Sequence, residues 1–521
     1  MVNKYFKENL IIQKWINSNY TGIWISIIYF FAISSISFSS HKNLTYGAET
    51  DFLWVYVPAA KNFLHGFLTI DPFRGPIYPI ILGLVNLIFN DFFHSGIFIS
   101  NISSSLVLFF TFSLIKEIFG ARFALVVTLF ILINPIFTQY SYTASSDMFF
   151  NAIASGLLLI LIKRKFNYKN IIIIGFLGGI LFLTRSNGVF ILAFILILFF
   201  QNSYAVKLKE KIIMSLIFVS TFLITYCPWG IYCLNEKGDF FYNKNYLNTA
   251  FEVYNKGSIN REEFGFNNKE YYSLTDVITK NPFLFFKTVT YNVYDNFKED
   301  MEHLVGWQLG FLTMLGIILT VFYKPTIMES RYYVLNISFF FILLFIFYSE
   351  RFSLFLIPFY TIFAIKTLYG NNKSLINFWS KELIAFIILF LFVWTFVGNL
   401  TYNKEMLLNY PREELKMKEL FKKKFNEKFN GKSIASRKPY IAYHLNMDFI
   451  SLPFSNSYSE FIKKLKDAKI DFLYFGGYEA SARPKLKFLL NKNQKLTGLQ
   501  PILWLNDPPT VLYKIIPDSI R

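Results

Sequence analysis

The chain has 521 residues, of which 54% are hydrophobic, 20% aromatic and only 17% charged, and its mean hydropathy is +0.38. Soluble domains carry roughly 25% charged residues, so a chain this long and this apolar reads as a polytopic α-helical membrane protein; collagen-like, disordered and disulfide-scaffold classes are excluded. The formal charge of +18 is scattered as Lys and Arg between apolar runs, a pattern of membrane orientation rather than of nucleic-acid binding.

Residues 1–20 are polar and carry Lys4, Lys7 and Lys14. The apolar run Gly22–Phe38 that follows lacks a convincing small-residue cleavage site, so it is expected to be a retained first span. Further apolar runs lie near 97–115, 123–138, 148–162, 170–184, 188–200, 212–232, 305–323, 332–348, 352–369 and 383–400. The run Ile77–Phe89 is too short to decide by length alone, but charge decides it. If it lies in the interface and the N-terminus is cytoplasmic, every basic cluster falls inside: Lys116 and Arg122; Lys163-Arg164-Lys165 with Lys169; Lys207, Lys209 and Lys211; Lys324 and Arg331; Lys373 and Lys381. About 11 transmembrane helices and an external C-terminus are therefore expected. Four outer segments result: residues 39–96, 139–147, 234–304 and 401–521. The short outer loops hold two basic residues, Arg185 and Arg351, and binding an anion is a reason for cations to sit there.

Cys227 and Cys233 share one apolar segment at a spacing that puts them on different helix faces, which argues against a disulfide or metal site. The five histidines show no metal-ligand spacing; no cofactor is indicated, a divalent metal remaining possible. Beyond Thr401 the chain turns Lys-rich, with a helix expected over Pro411–Phe429. Strands are expected at Ser433–Ser436, Tyr440–Tyr443, Phe449–Leu452, Asp471–Phe475 and Val511–Ile515, and helices at Ser457–Lys469 and Pro484–Leu490. Gly476-Gly477 and Pro508-Pro509 act as breakers. Residues 1–400 thus form the membrane part and 401–521 a small extracytoplasmic α/β domain.

The first outer loop reads Glu49-Thr50-Asp51-Phe52-Leu53-Trp54-Val55-Tyr56-Val57-Pro58-Ala59-Ala60, then His65-Gly66 and Asp71-Pro72-Phe73-Arg74-Gly75-Pro76-Ile77-Tyr78-Pro79. Glu49 and Asp51 open a helical run over 52–64 at the membrane boundary. A carboxylate there can act as a general base toward a hydroxyl; equally, Thr50 or Asp51 can cap the helix. Asp147, in Tyr140-Ser141-Tyr142-Thr143-Ala144-Ser145-Ser146-Asp147, opens the fourth span, where capping again competes with function. Arg185 ends the fifth span, where snorkelling would also explain it. Glu350-Arg351 lies at the outer end of the ninth, where a self-paired turn is the plain alternative. Ionisable groups gathered on one face at membrane depth usually mark function.

The run from Glu49 through Tyr78-Pro79 resembles the first outer loop of GT-C membrane glycosyltransferases, in particular the protein-mannosyltransferase and aminoarabinose-transferase (ArnT-like) group. The stretch around Asp147 resembles their second acidic motif, Leu183-Thr184-Arg185-Ser186-Asn187-Gly188 their Arg-Pro-Gly-like motif, and Tyr348-Ser349-Glu350-Arg351-Phe352 their Glu-Arg-Tyr motif. The resemblance spans about residues 40–370. It implies a polyprenyl-phosphate sugar donor and an envelope lipid, glycan or protein acceptor at the outer face of a bacterial inner membrane. It also implies inverting transfer of a hexosyl or pentosyl group. Asp51 would be the base and Asp147 the second acid, while Arg74, Arg185 and Arg351 would hold the leaving phosphate. Glu350 would position Arg351, and Trp54 and Tyr56 could stack on the sugar. The departures are that Glu49 precedes Asp51, leaving open which is the base, that Gly75 stands for a proline, and that Ser186-Asn187 follow the arginine. The rivals are a transporter or flippase of lipid-linked sugars, against which the absence of internal repeats speaks, and a non-catalytic scaffold.

Overall fold

The computed structural model describes residues 17–18, 20–40, 48–163, 166–200, 207–256, 264, 270–322, 324–369, 380–408, 412–425, 431–455, 457–494 and 496–516. The N-terminal lysines, Arg164 and Lys165 of the basic triplet, Lys373, and Pro411 and residues 426–429 of the predicted tail helix lie outside them. The chain divides into two compact units, Met1–Ser40 with Ala59–Met406, and His41–Pro58 with Leu407–Arg521.

The first unit is helical. Its helices are α1 (Tyr20–Ser40), α2 (Val57–Leu64, beginning two residues before the unit boundary), α3 (Ile77–Phe89), α4 (Phe92–Phe119), α5 (Ala121–Leu132), α6 (Pro135–Tyr142), α7 (Asp147–Lys163) and α8 (Tyr168–Thr184). Then come α9 (Phe194–Phe200), α10 (Leu208–Lys237), α11 (Tyr246–Ala250), α12 (Leu274–Lys280), α13 (Pro282–Glu299), α14 (Trp307–Val321), α15 (Ile327–Leu343), α16 (Glu350–Ser353), α17 (Ile357–Tyr369) and α18 (Lys381–Leu408). Each predicted apolar run contains a helix, and α3 has the predicted bounds. Among the described residues five helices are long and apolar enough to cross a membrane, or six if a bent pair counts as one span. Apolar side chains such as Leu216, Ile224, Phe386 and Leu389 are exposed along α10 and α18. Exposed Leu, Ile and Phe repeated along whole helices suit lipid, not water, and the protein is a multi-pass membrane protein.

Three of the expected single runs are broken, and for the first the local reason is plain. Residues 123–138 form two helices, α5 and α6, that meet at 66°. Pro135 opens α6 and Asn134 caps it, accepting from Phe137 N at 2.9 Å and donating to Leu304 O at 2.8 Å; proline is suited to a helix start and cannot continue one. Residues 186–193 form a 3-10 helix ahead of α9, and Leu354–Leu356 a 3-10 turn between α16 and α17. Elsewhere packing is close. A Cβ on Gly179 of α8 would come within 2.6 Å of Thr225 in α10, so the two helices meet backbone to backbone through small residues, as membrane helices do.

The second unit is a three-layer α/β sandwich. Its five-stranded sheet has the order β2-β1-β3-β5-β4, with β1 Ser433–Ser436, β2 Asp448–Ser451, β3 Phe472–Phe475, β4 Leu499–Asn506 and β5 Pro509–Ile515. β2, β1 and β3 are parallel, and β5 and β4 join antiparallel. Side-chain alternation buries both faces. Ala435, Leu473 and Phe475 pack with Phe461 and Leu465 of α21 (Tyr458–Asp467) on one side. Ile434, Phe472 and Tyr474 pack with Met417 and Phe421 of α19 (Arg412–Lys424) on the other.

Tyr440–Tyr443, expected as a strand, is helical: it belongs to α20 (Tyr440–Leu445). Its residues are β-prone, but β1 and β2 are parallel with Ser433 opposite Asp448, and a parallel pair requires a crossover, which this segment supplies. β4 was not anticipated. Pro501 and a register shift before Leu503 disguise it, and both are tolerated because β4 is an edge strand. Gly476-Gly477 ends β3 as expected but also opens the short α22 (Gly477–Ala482).

Candidate functional site

Three predicted residues converge in the first unit. Asp147 is the first residue of α7, and Arg185 is the C-cap of α8, in extended backbone between α8 and the 3-10 helix. Their side chains form an ion pair, Arg185 Nη1 to Asp147 Oδ1, with Asp147 3% and Arg185 15% exposed. Arg185 also donates to Ser146 Oγ at 3.3 Å. The plain alternatives therefore give way to a pair: Asp147 is engaged by a cation from another helix. Arg351, in α16, comes in from the third side. The guanidinium carbons of Arg185 and Arg351 lie 5.4 and 5.0 Å from the centroid of the same ring, Phe352. Asp147, Arg185, Arg351, Asn151, Asn187 and Phe352 line one small cavity together with Phe150 and Phe339. Two cations, one buried acid and two amides surround a cavity walled by aromatic rings, an arrangement that can hold an anion, since each charge acts more strongly there than in water.

Arg74 lies in the turn before α3 and pairs with Asp71 at 3.2 Å, while Asp71 also accepts from Phe73 N at 2.8 Å. The turn is pressed onto the end of α8: a Cβ on Gly75 would lie 1.7 Å from Leu183 O. Gly75 is thus required by contact, since any side chain would strike the α8 backbone. The segment between α10 and α11 touches the same turn through Lys244 N, which donates to Pro72 O at 2.7 Å.

Glu350 does not line the cavity; it opens α16. Behind it lies an acid that the sequence reading missed. Asp300 is fully buried and begins a π-helical turn, Asp300–Leu304. It accepts from Tyr348 Oη at 3.0 Å and Tyr360 Oη at 2.8 Å, with Ser353 also bonded to it and Glu350 near. Burial pushes its carboxyl up to about 7. Asp300 thus ties both ends of the Tyr348–Ser353 segment that carries Glu350 and Arg351. The available signal was its position, an acid abutting an apolar run just as Asp147 does.

Glu49, Asp51, Trp54 and Tyr56 belong to the second unit. Asp51 precedes a π-helical turn, Phe52–Tyr56, and its side chain makes no cap hydrogen bond to it; such turns are rare and frequent at functional sites. Tyr56 is buried, and Trp54, 40% exposed, meets Phe449 edge-on at 5.5 Å. Among the described residues no group of three or more His, Cys, Asp or Glu side chains is placed to hold a metal ion.

The fold and this cationic pocket can be set beside known proteins. Residues 73–232 match the family described as dolichyl-phosphate-mannose-protein mannosyltransferase; that stretch contains Arg74, Asp147 and Arg185 and stops short of Arg351. Among solved structures, ArnT from Cupriavidus metallidurans in the apo state is similar at 11% identity and a TM-score of 0.58, covering 96% of this chain and 99% of that one. The same protein bound to undecaprenyl phosphate gives 10% identity and a TM-score of 0.55 over the same shares. The oligosaccharyltransferase AglB from Archaeoglobus fulgidus, in complex with an inhibitory peptide and a dolichol-phosphate, gives 14% identity and a TM-score of 0.55, covering 88% of this chain and 70% of that one. No curated protein matches the chain. The resemblance to GT-C glycosyltransferases read from the sequence is borne out by these matches.

Proposed function

We propose that this protein is an inverting GT-C glycosyltransferase that moves a hexosyl or pentosyl group from a polyprenyl-phosphate carrier to an envelope acceptor, at the outer face of a bacterial inner membrane. The observation that carries the reading is the anion pocket: Arg185 held by buried Asp147, with Arg351 across Phe352. The fold supports it, because ArnT has been solved with undecaprenyl phosphate and AglB with a dolichol-phosphate. In this reading all eleven apolar runs cross. The shorter helices need their flanking residues for this: α8, with 17 residues, is about 25 Å long at ~1.5 Å per residue, against a hydrocarbon core of ~30 Å.

In the reaction an acceptor hydroxyl oxygen attacks the anomeric carbon as the bond from that carbon to the phosphate oxygen breaks. The bonding pair leaves on the lipid phosphate, and the hydroxyl proton goes to Asp51, with Glu49 as the alternative base. Arg185 and Arg351, with Arg74 from its turn, stabilise the growing phosphate charge. Losing one such contact typically raises the barrier by ~3 kcal/mol, about 100-fold in rate. Asp147 fixes Arg185, and Glu350 and Asp300 fix the segment of Arg351. Trp54 and Tyr56 are assigned to the sugar and its approach.

The test is transfer of radiolabelled sugar from a panel of polyprenyl-phosphate donors in membranes containing wild type, Asp51→Asn or Arg351→Ala. Transfer by wild type with a loss of about 100-fold in each variant at equal expression supports the assignment. Transfer indifferent to Arg351 refutes the phosphate pocket, and indifference to Asp51 alone moves the base to Glu49.

A further inference from the structure

The α/β unit holds a short segment that its own sheet does not need. His41–Pro58 clusters with the C-terminal residues in one compact body, although more than 340 residues of chain separate them. The place where it docks follows from the topology. β1 lies between β2 and β3, all three parallel, so the chain leaves β1 toward one neighbour and later returns on the other side. Such a switch point leaves a crevice at the carboxyl end of the central strand, where open α/β sheets bind their ligands. Here Arg437, Lys438 and Tyr440 follow β1 at that end. Buried Glu479 fixes the loop, accepting from Arg437 N and from Gly476 N, each at 3.0 Å.

The crevice residues meet the segment of the first outer loop. Lys438 Nζ donates to Thr50 Oγ1 at 2.7 Å. Tyr440 is hydrogen-bonded to Thr50 and faces Glu49. Phe449 of β2 adds the edge-on contact to Trp54, and Ala48 is 4% exposed. Thr50 stands between the two carboxylates Glu49 and Asp51. A hydroxyl fixed by two side chains of a rigid sheet fixes the backbone on either side of it, and with it the directions of both acids.

We propose that the α/β unit is a positioning element for the acidic segment: Lys438 and Tyr440, from the crevice at the end of β1, clamp Thr50 and so set the orientation of Glu49 and Asp51. Lys438 and Tyr440 are positioning residues, acting through Thr50. The inference rests on the reading above that this segment carries the base, and it gives the tail a role in the transfer step rather than in acceptor capture alone.

The experiment uses the full chain in lipid nanodiscs and reads two signals: amide exchange in peptides covering residues 48–56, and transfer kinetics. Lys438→Met and Tyr440→Phe are each expected to speed exchange in that segment about tenfold while β3 and β5 keep wild-type protection. Lys438→Met should lower kcat about tenfold with donor KM unchanged, Lys438→Arg should restore most of it, and Lys438→Met combined with Thr50→Val should be no worse than either alone. Lys485→Met, at an exposed site of the same unit, should change nothing. Should Lys438→Met destabilise the whole sheet, Tyr440→Phe and Thr50→Val decide the matter. Wild-type exchange over residues 48–56 in these variants overturns the proposal. If no donor supports transfer by wild type, the glycosyltransferase reading fails, and the exchange measurements still decide whether the clamp exists.

Discussion

The Asp147–Arg185 pair allows structure and chemistry to be separated. Asp147 is 3% exposed and Arg185 15%, so truncating Arg185 to Met leaves a carboxylate buried beside Phe150 and Phe352 without its cation. Breaking a buried pair in this way typically costs ~3–5 kcal/mol, whereas replacing both partners by groups of similar volume is often neutral. Arg185→Met should therefore destabilise the protein, and Arg185→Met with Asp147→Leu should recover most of that loss. Transfer should behave otherwise. If Arg185 meets the leaving phosphate, the double variant remains at least about 100-fold slower than wild type although its fold is restored. The assay is thermal unfolding in detergent alongside single-turnover transfer for the two single variants and the double. A double variant that regains both stability and transfer would show that the pair merely braces α7 against α8, and the pocket assignment would fall.

Three further outcomes are expected. Gly75→Ala should cut transfer about 100-fold with little change in expression. Its Cβ would collide with Leu183 O, and relieving that collision moves the Arg74 turn by about 1 Å, a displacement of the size that costs ~100-fold; near-normal transfer would show that the turn is not part of the site. Asp300→Leu should raise donor KM about tenfold through loss of the Tyr348 and Tyr360 anchors, with Asp300→Asn retaining most function, and equal KM values for Leu and wild type would disconnect Asp300 from Arg351. The α/β unit should lose stability as pH rises. Burial, with Glu413 and Glu479 near, pushes Glu414 from 4.5 up to about 7, so the folded unit holds that proton more tightly than the unfolded chain. The contribution is complete below about pH 4.5, declines as pH rises through 7, and totals about 3 kcal/mol. Pulse proteolysis of the full chain at pH 5 and pH 8 should show this slope, and Glu414→Gln should flatten it.

Much of this architecture was legible because lipid simplifies the code. Apolar length and basic flanks mark helices whose backbone must satisfy itself, and Ile77–Phe89 coincides with its helix end to end. Interruptions were less legible. Asn134-Pro135 breaks an apolar run without any loss of hydrophobicity, because the break is made by a cap and a missing N–H rather than by polarity. In the tail, the strand propensity of Tyr440–Tyr443 yielded to the crossover that a parallel β1–β2 pair demands, a non-local requirement. β4 was hidden by a proline that only an edge strand admits. At the site, Asp147, Arg185 and Arg351 could be selected as charges at the ends of apolar runs, but that Arg185 and Arg351 flank one ring depends on how four helices pack. Asp300 escaped because its partners, Tyr348 and Tyr360, lie far along the chain.

The placement of the charges follows from where helices end. A continuous span offers no free backbone groups and few positions for an ion. Arg185 sits where α8 gives way to a 3-10 helix, Arg351 in a four-residue helix before another 3-10 turn, Asp147 at the first residue of α7, and Asp51 and Asp300 at π-helical turns. The cations and the acidic segment have different supports, however: the cations sit at helix ends in one unit, while Thr50, between Glu49 and Asp51, is held by Lys438 of the sheet crevice in the other. Different supports predict different kinetic signatures. Loosening a cation support, as Asp300→Leu does, should show in donor KM as well as in rate, because the phosphate is present in the ground state. Loosening the acid support, as Lys438→Met should, is expected to show in kcat alone, because a base in that segment would act only as the acceptor hydroxyl loses its proton. If both variants shifted donor KM and kcat in the same ratio, the division of roles between the two units would be wrong even if transfer itself were confirmed.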